Sequence, residues 1–427
     1  MRLENPCLFV EGGHKLKGEV IISGAKNAAL PALAATLLAP GEYRFFNVPW
    51  LVDVQTMLDL LCRLGAQYET TNTSLIVDTS QAGDTVAPYE IVSRMRASVL
   101  VLGPLLARYG RARVALPGGC PIGKRPIDFH LKGLELMGAK IHQEHGYVMA
   151  RAPRRGLQGA EIIFDFPSVT ATENLLMAAT LARGRTIIRN AAREPEIVAL
   201  GEMLLKMGAK IQGLGTETIF IEGVKELSPS EVSIIPDRIE AGTYLMAPGI
   251  TGGEVIIRNA NPYHLETVIA TLKEIGLKIE IDGDKISSRR GRSLKPVKIR
   301  TAPYPGFPTD LQAQAMALLS TVKGTSVIVE TVFENRFLHV EELRRLGAQI
   351  TVEGRVAVIE GVKRLQAAPV KATDLRASAS LVLAALGAEG VTEIAEIQHL
   401  KRGYEALCEK FSRLGAKVWE APCQHHA

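Results

Sequence analysis

Hydrophobic and polar positions along the chain follow a pattern that returns about every 70 residues. In each period a helical spacing of apolar residues, as in 196–207, ends in the phrase hydrophobic–Gly–Ala–Lys or Gln, with Leu replacing Ala once. A strand-like alternation then follows. The glycines of the phrase, which we predict to end helices in the left-handed conformation, are Gly65, Gly138, Gly208, Gly276, Gly347 and Gly415. This near-constant spacing predicts six copies of one structural unit.

Upstream of the phrase, each copy has another helical pattern, a glycine turn and a short strand, as in 181–190, 250–259 and 322–330. The predicted unit is helix–strand–helix–strand–strand, so the fold class is α/β. At 427 residues, two domains of three units are the simplest division, with a midpoint near 231–236. The segment 18–23 resembles the strand that should precede a first helix. It can pair with the distant C-terminal half, which would make one domain discontinuous.

A polar or charged cluster opens the first helix of every unit, just before an apolar run. The clusters begin at Ser23, Arg94, Ser168, Asp237, Thr309 and Thr373. In a symmetric assembly such helix ends point to a common region in each domain, where free N–H groups and helix dipoles attract anions. Ordinary helix capping, worth about 1 kcal/mol per residue, accounts for Ser168, Thr309 and Thr373.

The cations of these clusters need another explanation, because positive charge is unfavourable at a helix N-terminus. They are Lys26, Arg96, Arg238 and Arg376, and they suggest a bound anion. Further cations lie in the loops before the second helices, namely Lys124, Arg125, Arg193, Arg336, Lys401 and Arg402. Each alone would more often be a solvated surface charge. Gathered in a cleft between two domains, they would hold a small polyanionic ligand and close around it.

Composition narrows the class of protein. Apolar residues make up 47% and charged residues 22%, which is typical of a globular protein. The net charge is only +5, and the aromatic content of 5% argues against a reader of single-stranded nucleic acid. The longest apolar run, 28–40, is too short to span a bilayer, and no signal sequence is expected.

The five cysteines are scattered and form no C-x-x-C pair; they are Cys7, Cys62, Cys120, Cys408 and Cys423. This pattern predicts neither a disulfide framework nor a structural zinc site, and it favours a reducing cytoplasm. The tail 423–426, Cys-Gln-His-His, contains metal-ligand residue types. We interpret it as a frayed terminus, because nothing nearby would complete a coordination sphere.

The segment 116–126 contains three glycines, three prolines, Cys120, Lys124 and Arg125. Glycine permits backbone angles closed to other residues, and proline stops helix and sheet pairing. We therefore expect a mobile surface loop. Its Cys would ordinarily be incidental, so any chemical role has to come from its surroundings.

Several longer motifs resemble one family in the order expected of it, the UDP-N-acetylglucosamine 1-carboxyvinyltransferases of the enolpyruvyl transferase superfamily. The motifs are 23–31, 95–98, 116–120, 125–126, 190–197, 236–240, 301–303, 307–310, 333–337 and 373–378. The resemblance spans residues 10 to 420. It implies two inside-out α/β barrels of three units each, with the active site in the cleft between them. The domains would be 26–235, with 116–126 as a mobile lid, and 1–25 plus 236–427.

The resemblance also implies a reaction, the transfer of the enolpyruvyl group of phosphoenolpyruvate to the 3′-hydroxyl of UDP-N-acetylglucosamine. Phosphate is released by addition and elimination through a tetrahedral ketal, in the first committed step of peptidoglycan synthesis. No metal or organic cofactor is implied, and the partners are the two small-molecule substrates, with no nucleic acid and no membrane insertion.

Residue roles follow from the resemblance alone. Cys120 would donate the proton, form a covalent adduct with phosphoenolpyruvate and react with fosfomycin, while Asp310 would be the base for the sugar hydroxyl. Phosphoenolpyruvate would be held by Lys26, Arg125 and Arg402, with Arg96, Asp374 and Arg376 nearby. The nucleotide sugar would be contacted by Asn27, Ser168, Val169, Val332 and Arg336, and its uracil side by Pro126, Asp128 and Phe129.

The chain departs from the family at three positions. Thr170 occupies a place where glycine is usual, Lys401 one that is often acidic, and Lys124 one that is usually apolar or small. Three alternatives remain open: the sister enzyme acting on shikimate 3-phosphate, an RNA-end-binding relative, and a non-catalytic sensor of the nucleotide sugar. The even charge balance argues against the RNA-binding alternative, and the presence of every catalytic residue type argues against the sensor.

Overall fold

The structure is a computed structural model that describes residues 6–117 and 127–424. Contacts divide these residues into two compact units. Unit I comprises 24–117 and 127–235, and unit II comprises 6–23 and 236–424. The chain thus passes from one unit to the other at 23/24 and at 235/236, where the sequence analysis expected 25/26 and 235/236.

The α-helices of the described residues are α1 Lys26–Ala35, α2 Val52–Arg63, α3 Tyr89–Val92, α4 Leu102–Tyr109, α5 Asp128–Leu136, α6 Val169–Thr180, α7 Pro195–Lys206, α8 Arg238–Thr251, α9 Glu266–Ile275, α10 Gln312–Leu319, α11 Val340–Arg345, α12 Leu375–Gly387 and α13 Leu407–Arg413. Short 3-10 helices occupy Thr36–Leu38, Arg96–Val101, Pro262–Leu265, Thr309–Leu311 and Leu400–Arg402. Two of them, Arg96–Val101 and Thr309–Leu311, lead directly into α4 and α10.

The strands are β1 Pro6–Glu11, β2 Leu16–Ile21, β3 Glu42–Phe46, β4 Gln67–Thr70, β5 Ser74–Asp78, β6 Val86–Ala87, β7 Arg111–Ala115, β8 Lys140–Glu144, β9 Tyr147–Arg151, β10 Glu161–Ile163, β11 Arg185–Arg189, β12 Lys210–Gln212 and β13 Thr218–Glu222. Those of the second half are β14 Glu231–Ser233, β15 Gly253–Arg258, β16 Leu277–Asp282, β17 Lys285–Arg290, β18 Lys298–Arg300, β19 Thr325–Val329, β20 Gln349–Glu353, β21 Val356–Glu360, β22 Leu365–Gln366, β23 Val370–Lys371, β24 Ala388–Glu389, β25 Val391–Ala395 and β26 Lys417–Pro422.

Each of the six copies contributes to one four-stranded sheet with the same strand order. In the third copy, β10 and β11 pair in parallel on either side of α6, and β13 pairs antiparallel with both β11 and β12. The repeat count is therefore confirmed. Apart from the expected strand at 18–23, the predicted unit lacked its leading parallel strand, because the other five leading strands have only two or three residues, too few to show a period.

The sheets also close each unit. In unit I, β14 returns to pair with β3 at the other end of the unit. In unit II, β2 pairs in parallel with β15, with Gly18 opposite Val255, which confirms the expected pairing of this segment with the C-terminal half. β1 enters the sixth sheet between β25 and β26.

The first helix of each copy lies in the middle of its unit, with the sheets outside. These central helices are α1, α4 and α6 in unit I and α8, α10 and α12 in unit II, and they contact one another and their sheets. They are buried on nearly every side because their residues are small and apolar. A Cβ on Gly242 would lie 2.4 Å from Leu311, so glycine is needed there for close packing. The predicted inside-out α/β barrel is confirmed for each unit.

All six glycines of the repeated phrase have positive φ, from 88° to 111°. Each follows an outer helix and precedes the next strand, as predicted. None of the helices in 6–117 and 127–424 is long and apolar enough to cross a membrane.

One expectation about the cysteines is wrong. Cys7 in β1 and Cys423, just after β26, form a disulfide across 416 residues of sequence, with their Cα atoms 4.9 Å apart. The antiparallel pairing of β1 with β26 places Cys7 opposite Ala421 and so brings the two thiols together. Sequence spacing could not reveal this, because the contact depends on the closure of the sixth sheet.

Candidate active site

In unit I the predicted binding residues lie where the central helices begin. Lys26 and Asn27 start α1, Arg96 starts the 3-10 helix before α4, and Ser168 and Val169 start α6. The helices α4 and α6 each lie in the chain between two parallel strands of their own sheet, and α1 leads into β3, which pairs in parallel with β14, so the three helices run in equivalent directions. The polar ends of all three helices therefore lie at the same end of the unit.

Lys26 is paired inside the unit. Its Nζ donates to Oδ2 of Asp53 at 2.9 Å, and both residues are buried. Asp53 lies in the first turn of α2. Sequence analysis missed it, because an acidic residue in a first turn is the ordinary complement of a helix dipole. This pair offsets the unfavourable position of the Lys26 charge, so that position does not by itself require a bound anion.

Thr170, one of the three departures from the family pattern, is held by a buried histidine. Nδ2 of Asn174 donates to Nδ1 of His130 at 3.1 Å and to the carbonyl of Val99 at 2.8 Å. His130 therefore carries its ring proton on Nε2, which donates to Oγ1 of Thr170 at 3.1 Å. This link ties α5 to the first turn of α6.

The predicted uracil-side residues begin α5. Asp128 is exposed, and Phe129 packs against Phe164 with ring centroids 5.5 Å apart. Cys120, Arg125 and Pro126, together with Lys124, lie outside the described residues, so their predicted roles stay predictions.

Three buried glutamates of unit I were not found from the sequence. They are Glu173 on α6 and Glu194 and Glu196 at the start of α7. Burial raises the pKa of Glu173 well above its usual value, and the charges of Glu196 and Glu194 raise it further. Glu173 therefore tends to keep its proton.

In unit II, Asp310 is the centre of the predicted site. Its Oδ1 accepts from Arg336 Nη2 at 2.9 Å and its Oδ2 from Arg376 Nε at 3.3 Å. The arginine side chains are only 5% and 4% exposed, whereas the Asp310 side chain is 28% exposed. The carboxylate is thus fixed by two buried guanidinium groups, while its own side chain is partly exposed.

Arg376 begins the first turn of α12 and packs over the ring of Tyr404. Burial opposes its charge, but Asp310, Tyr404 and Asp237 outweigh that effect and raise the pKa of the guanidinium. As with Lys26, the chain itself supplies the negative charge that makes this cation tolerable near a helix N-terminus.

The loop carrying Val332 is anchored by a buried carboxylate. Oε1 of Glu330 accepts from the backbone N–H groups of Val332, at 2.8 Å, and Phe333, at 3.2 Å. Its Oε2 accepts from Oγ1 of Thr309 at 2.9 Å. Glu330 thereby connects the Val332 loop to the short helix that carries Asp310.

The capping prediction is wrong for all three residues it named. Ser168 occupies an N-cap position without a side-chain cap hydrogen bond, Thr309 bonds Glu330, and Thr373 precedes the cap of α12. The cap of α12 is Asp374, which accepts from the N–H groups of Arg376 and Ala377. Asp237 caps α8 in the same way. Aspartate is favoured here because its charge also complements the dipole.

Arg402 lies at the end of the 3-10 helix Leu400–Arg402, next to the start of α12. Gly403 makes this approach possible, since a Cβ there would lie 2.6 Å from the side chain of Leu375. By contrast, Arg193 and Lys401 pair with Glu217 and Glu420 on the surface, at 3.6 and 2.7 Å.

A partly buried polar cluster lies where the chain leaves unit II at Ser23. Lys410 Nζ donates to Glu240 Oε1 at 2.5 Å and to Ser23 Oγ at 2.7 Å, and the Ser23 N–H donates to Glu240 Oε2 at 2.7 Å. Ser23 Oγ in turn donates to Glu405 at 2.6 Å. Burial raises the pKa of Glu240 to about 7, although Lys410 acts to lower it.

Comparisons with known proteins point in one direction. Residues 10–411 match the model of the EPSP synthase (3-phosphoshikimate 1-carboxyvinyltransferase) family. The chain is 57% identical over 411 residues to a UDP-N-acetylglucosamine 1-carboxyvinyltransferase of Desulfosudis oleivorans, covering 96% of this chain and 98% of that protein. A protein of the same name from Desulfatibacillum aliphaticivorans is 55% identical over 411 residues, which again cover 96% of this chain and 98% of that protein.

Solved structures agree with the fold. The enolpyruvyl transferase NikO from Streptomyces tendae superposes with a TM-score of 0.89 at 26% identity, covering 99% of this chain and all of that one. EPSP synthase from Acinetobacter baumannii superposes with a TM-score of 0.76 at 18% identity, covering 97% of this chain and all of that one. At this identity the likeness shows the fold alone.

Proposed function

The chain belongs to the EPSP synthase family of enolpyruvyl transferases, and from this premise we infer that it transfers the enolpyruvyl group of phosphoenolpyruvate to UDP-N-acetylglucosamine. The acceptor is the 3′-hydroxyl, and phosphate leaves. The observation that carries this assignment is the 57% identity to a protein named for that activity, over nearly the whole of both chains.

The shikimate 3-phosphate enzyme is the competing assignment, because it gives the family model its name. The solved EPSP synthases, however, are only 18% and 19% identical to this chain. Two proteins named for the nucleotide-sugar reaction are 55% and 57% identical to it. The nucleotide sugar is therefore the better-supported acceptor.

Asp310 is the proposed base for the acceptor hydroxyl. Two guanidinium groups hold and orient its carboxylate, as the positioned proton acceptor of a general base requires. We propose that anionic substrates draw Arg336 or Arg376 toward themselves. The carboxylate would then lose a partner as the hydroxyl arrives and would accept its proton more readily.

The reaction requires a proton on the methylene carbon of phosphoenolpyruvate and attack by the sugar oxygen on the neighbouring carbon. We propose that the Cys120 thiol supplies that proton, and that the resulting ketal then loses phosphate and one proton of the new methyl group. Lys26, Arg125 and Arg402 would hold the phosphate and carboxylate, with Arg96, Asp374 and Arg376 nearby.

The proposed nucleotide-sugar contacts are Asn27, Ser168, Val169, Val332 and Arg336, with Pro126, Asp128 and Phe129 on the uracil side. The position of Val332 supports this role, since Glu330 holds its backbone beside the Asp310 helix. The Thr170–His130 bond supports a rigid start to α6. The product would feed peptidoglycan synthesis, and thus cell shape and division, in the cytoplasm.

The deciding experiment is phosphate release from phosphoenolpyruvate with each acceptor in turn. We expect release with UDP-N-acetylglucosamine and none with shikimate 3-phosphate, and the reverse result would overturn the assignment. Tight RNA binding with a steep dependence on salt, and no phosphate release, would instead support the RNA-end-binding alternative.

Fosfomycin tests the proposed reactivity of Cys120. After exposure to the compound, mass spectrometry should find one covalent adduct on the peptide that contains Cys120. An unmodified Cys120 peptide in an otherwise active enzyme would contradict this role.

A further inference from the structure

Three metal-ligand groups converge on one sheet of unit II, on residues with no place in the proposed reaction. Cys7 lies in β1, Glu393 in the adjacent β25, and Cys423 follows β26. One sulfur from each cysteine and one carboxylate oxygen of Glu393 all lie within 4.8 Å of one another. Strand register explains this convergence, because Glu393 is paired with Phe9 and so lies on the same face of the sheet as Cys7.

Two of these three groups are buried in the sheet. Cys7 is fully buried, Glu393 is 5% exposed and Cys423 is half-buried. Phe9 and Trp419 stack on the same face with ring centroids 5.7 Å apart. The Gln424 N–H donates to Glu393 Oε1 at 2.8 Å, which orients the carboxylate.

We propose that Cys7, Cys423 and Glu393 bind one zinc-class divalent cation when the cysteines are reduced. Thiolate and carboxylate groups are both ligands of Zn²⁺, and thiolate ligands select zinc over magnesium or calcium. Zinc sites are usually four-coordinate, so this set leaves one position for solvent or a further side chain.

Reduction of the Cys7–Cys423 disulfide requires a thiol or phosphine reductant, which supplies two electrons. The Cys7–Cys423 bond breaks, each sulfur gains a proton, and the reductant is oxidised. The cation then displaces both thiol protons and binds the two thiolates and the Glu393 carboxylate. A disulfide thus joins β1 to the end of β26 under oxidising conditions, whereas a metal ion would join both of them to β25 under reducing ones.

This proposal revises the interpretation of the tail. The sequence analysis dismissed Cys423 and the histidines after it because no neighbour in sequence could complete a coordination sphere. The fold supplies Cys7 and Glu393, which are 416 and 30 residues away in the chain. The site would stabilise the sheet that closes unit II.

The test uses the full chain, reduced with a phosphine and titrated with Co²⁺ and then Zn²⁺. We expect one Co²⁺ per chain with a thiolate-to-cobalt charge-transfer band and the visible spectrum of tetrahedral coordination, both abolished by one equivalent of Zn²⁺. The disulfide form of the same protein should show no such band. This comparison requires no substitution, so it remains decisive even if a variant fails to fold.

Variants then locate the site. Cys7→Ser and Cys423→Ser should each remove the charge-transfer band, and Glu393→Gln should weaken Zn²⁺ binding at least tenfold. The matched controls Cys62→Ser, Cys408→Ser and Cys120→Ser should leave the band unchanged.

Two results would overturn the proposal. One is a band of equal intensity in the disulfide form or in Cys7→Ser. The other is binding that is lost in a His425→Ala/His426→Ala variant but kept in Cys7→Ser, because that outcome places the metal on the tail alone.

Discussion

Arg376 and Tyr404 are stacked at the start of α12, with the guanidinium carbon 5.7 Å from the ring centroid. Tyr404 is itself fixed by hydrogen bonds: its hydroxyl lies 2.8 Å from Thr243 Oγ1, and Gln314 Nε2 donates to it at 3.1 Å. Thr243 already donates to the Ile239 carbonyl, so the phenol is the donor toward Thr243. A buried network thus positions the arginine that holds Asp310.

Separating the two functions of Tyr404 gives the first prediction. Tyr404→Phe keeps the ring under Arg376 but leaves Thr243 and Gln314 without the hydroxyl, which should cost about 1–3 kcal/mol of unfolding free energy with little change in kcat. Tyr404→Leu removes the ring as well and should also lower kcat. Urea unfolding and steady-state kinetics measure the two effects, and an equal loss of kcat in both variants would contradict this division.

The second prediction concerns Asp310. Asp310→Asn preserves the shape of the side chain but removes the base, so kcat should fall by about 10²–10⁴-fold. Binding of UDP-N-acetylglucosamine, measured by calorimetry, should change much less. Near-normal turnover by this variant would exclude Asp310 as the base.

Asp53 provides a test of stability in unit I. Asp53→Ala leaves the buried Lys26 ammonium without its carboxylate partner, which should destabilise unit I by about 3–5 kcal/mol. Asp59 lies on the same helix but is exposed, so Asp59→Ala is the matched control and should cost little. Similar urea midpoints for the two variants would show that the Lys26–Asp53 pair contributes less to the stability of unit I than predicted.

The raised pKa of Glu240 predicts that the stability of unit II depends on pH. Burial raises its pKa from 4.5 to about 7, so the folded state holds this proton more tightly than the unfolded state does. The contribution of this proton to the free energy of unfolding is therefore fully present below pH 4.5. It is lost as the pH rises to about 7, and the loss is roughly 3 kcal/mol in total. Glu240→Gln should remove this part of the pH dependence when unfolding is compared at about pH 5 and about pH 8. An unchanged slope in the variant would refute the assignment.

The Cys7–Cys423 disulfide encloses nearly the whole chain, so its reduction in metal-free buffer should destabilise unit II. Removal of a native disulfide typically costs about 2–5 kcal/mol, and the chain-entropy model gives about 6 kcal/mol for a loop of this length. Thermal unfolding with and without a phosphine reductant measures the difference. Cys7→Ser should resemble the reduced protein under both conditions, whereas Cys62→Ser should behave like the wild type. If the reductant lowered the stability of Cys7→Ser by the same amount, its effect would have to come from groups other than this disulfide.

Much of the fold could be predicted from local pattern. The six glycines of the repeated phrase require a backbone conformation that is strained for other residues, so their spacing alone revealed the repeat. Each polar cluster before an apolar run marked the start of a central helix. The short parallel strands such as β6 and β10 escaped notice, because their pairing partner, and not their own sequence, makes them strands.

The partners of the site residues could not be predicted in the same way. Lys26 and Arg376 were recognised as cations at helix starts, but their carboxylates come from Asp53 and Asp310, 27 and 66 residues away. The cap of α12 was assigned to Thr373 where Asp374 makes the bonds, a difference of one residue that depends on backbone geometry.

The sequence by itself determined the repeated α/β unit, its sixfold count and the residue types at the start of each central helix, because these depend on periodicity and local backbone preference. Only the tertiary structure decided which charges are neutralised within each unit, which aspartates cap the helices, and that Cys7, Glu393 and Cys423 meet on one sheet. Those relationships depend on ring closure of the repeats, which brings residues distant in sequence within bonding distance. No local pattern encodes such a distance.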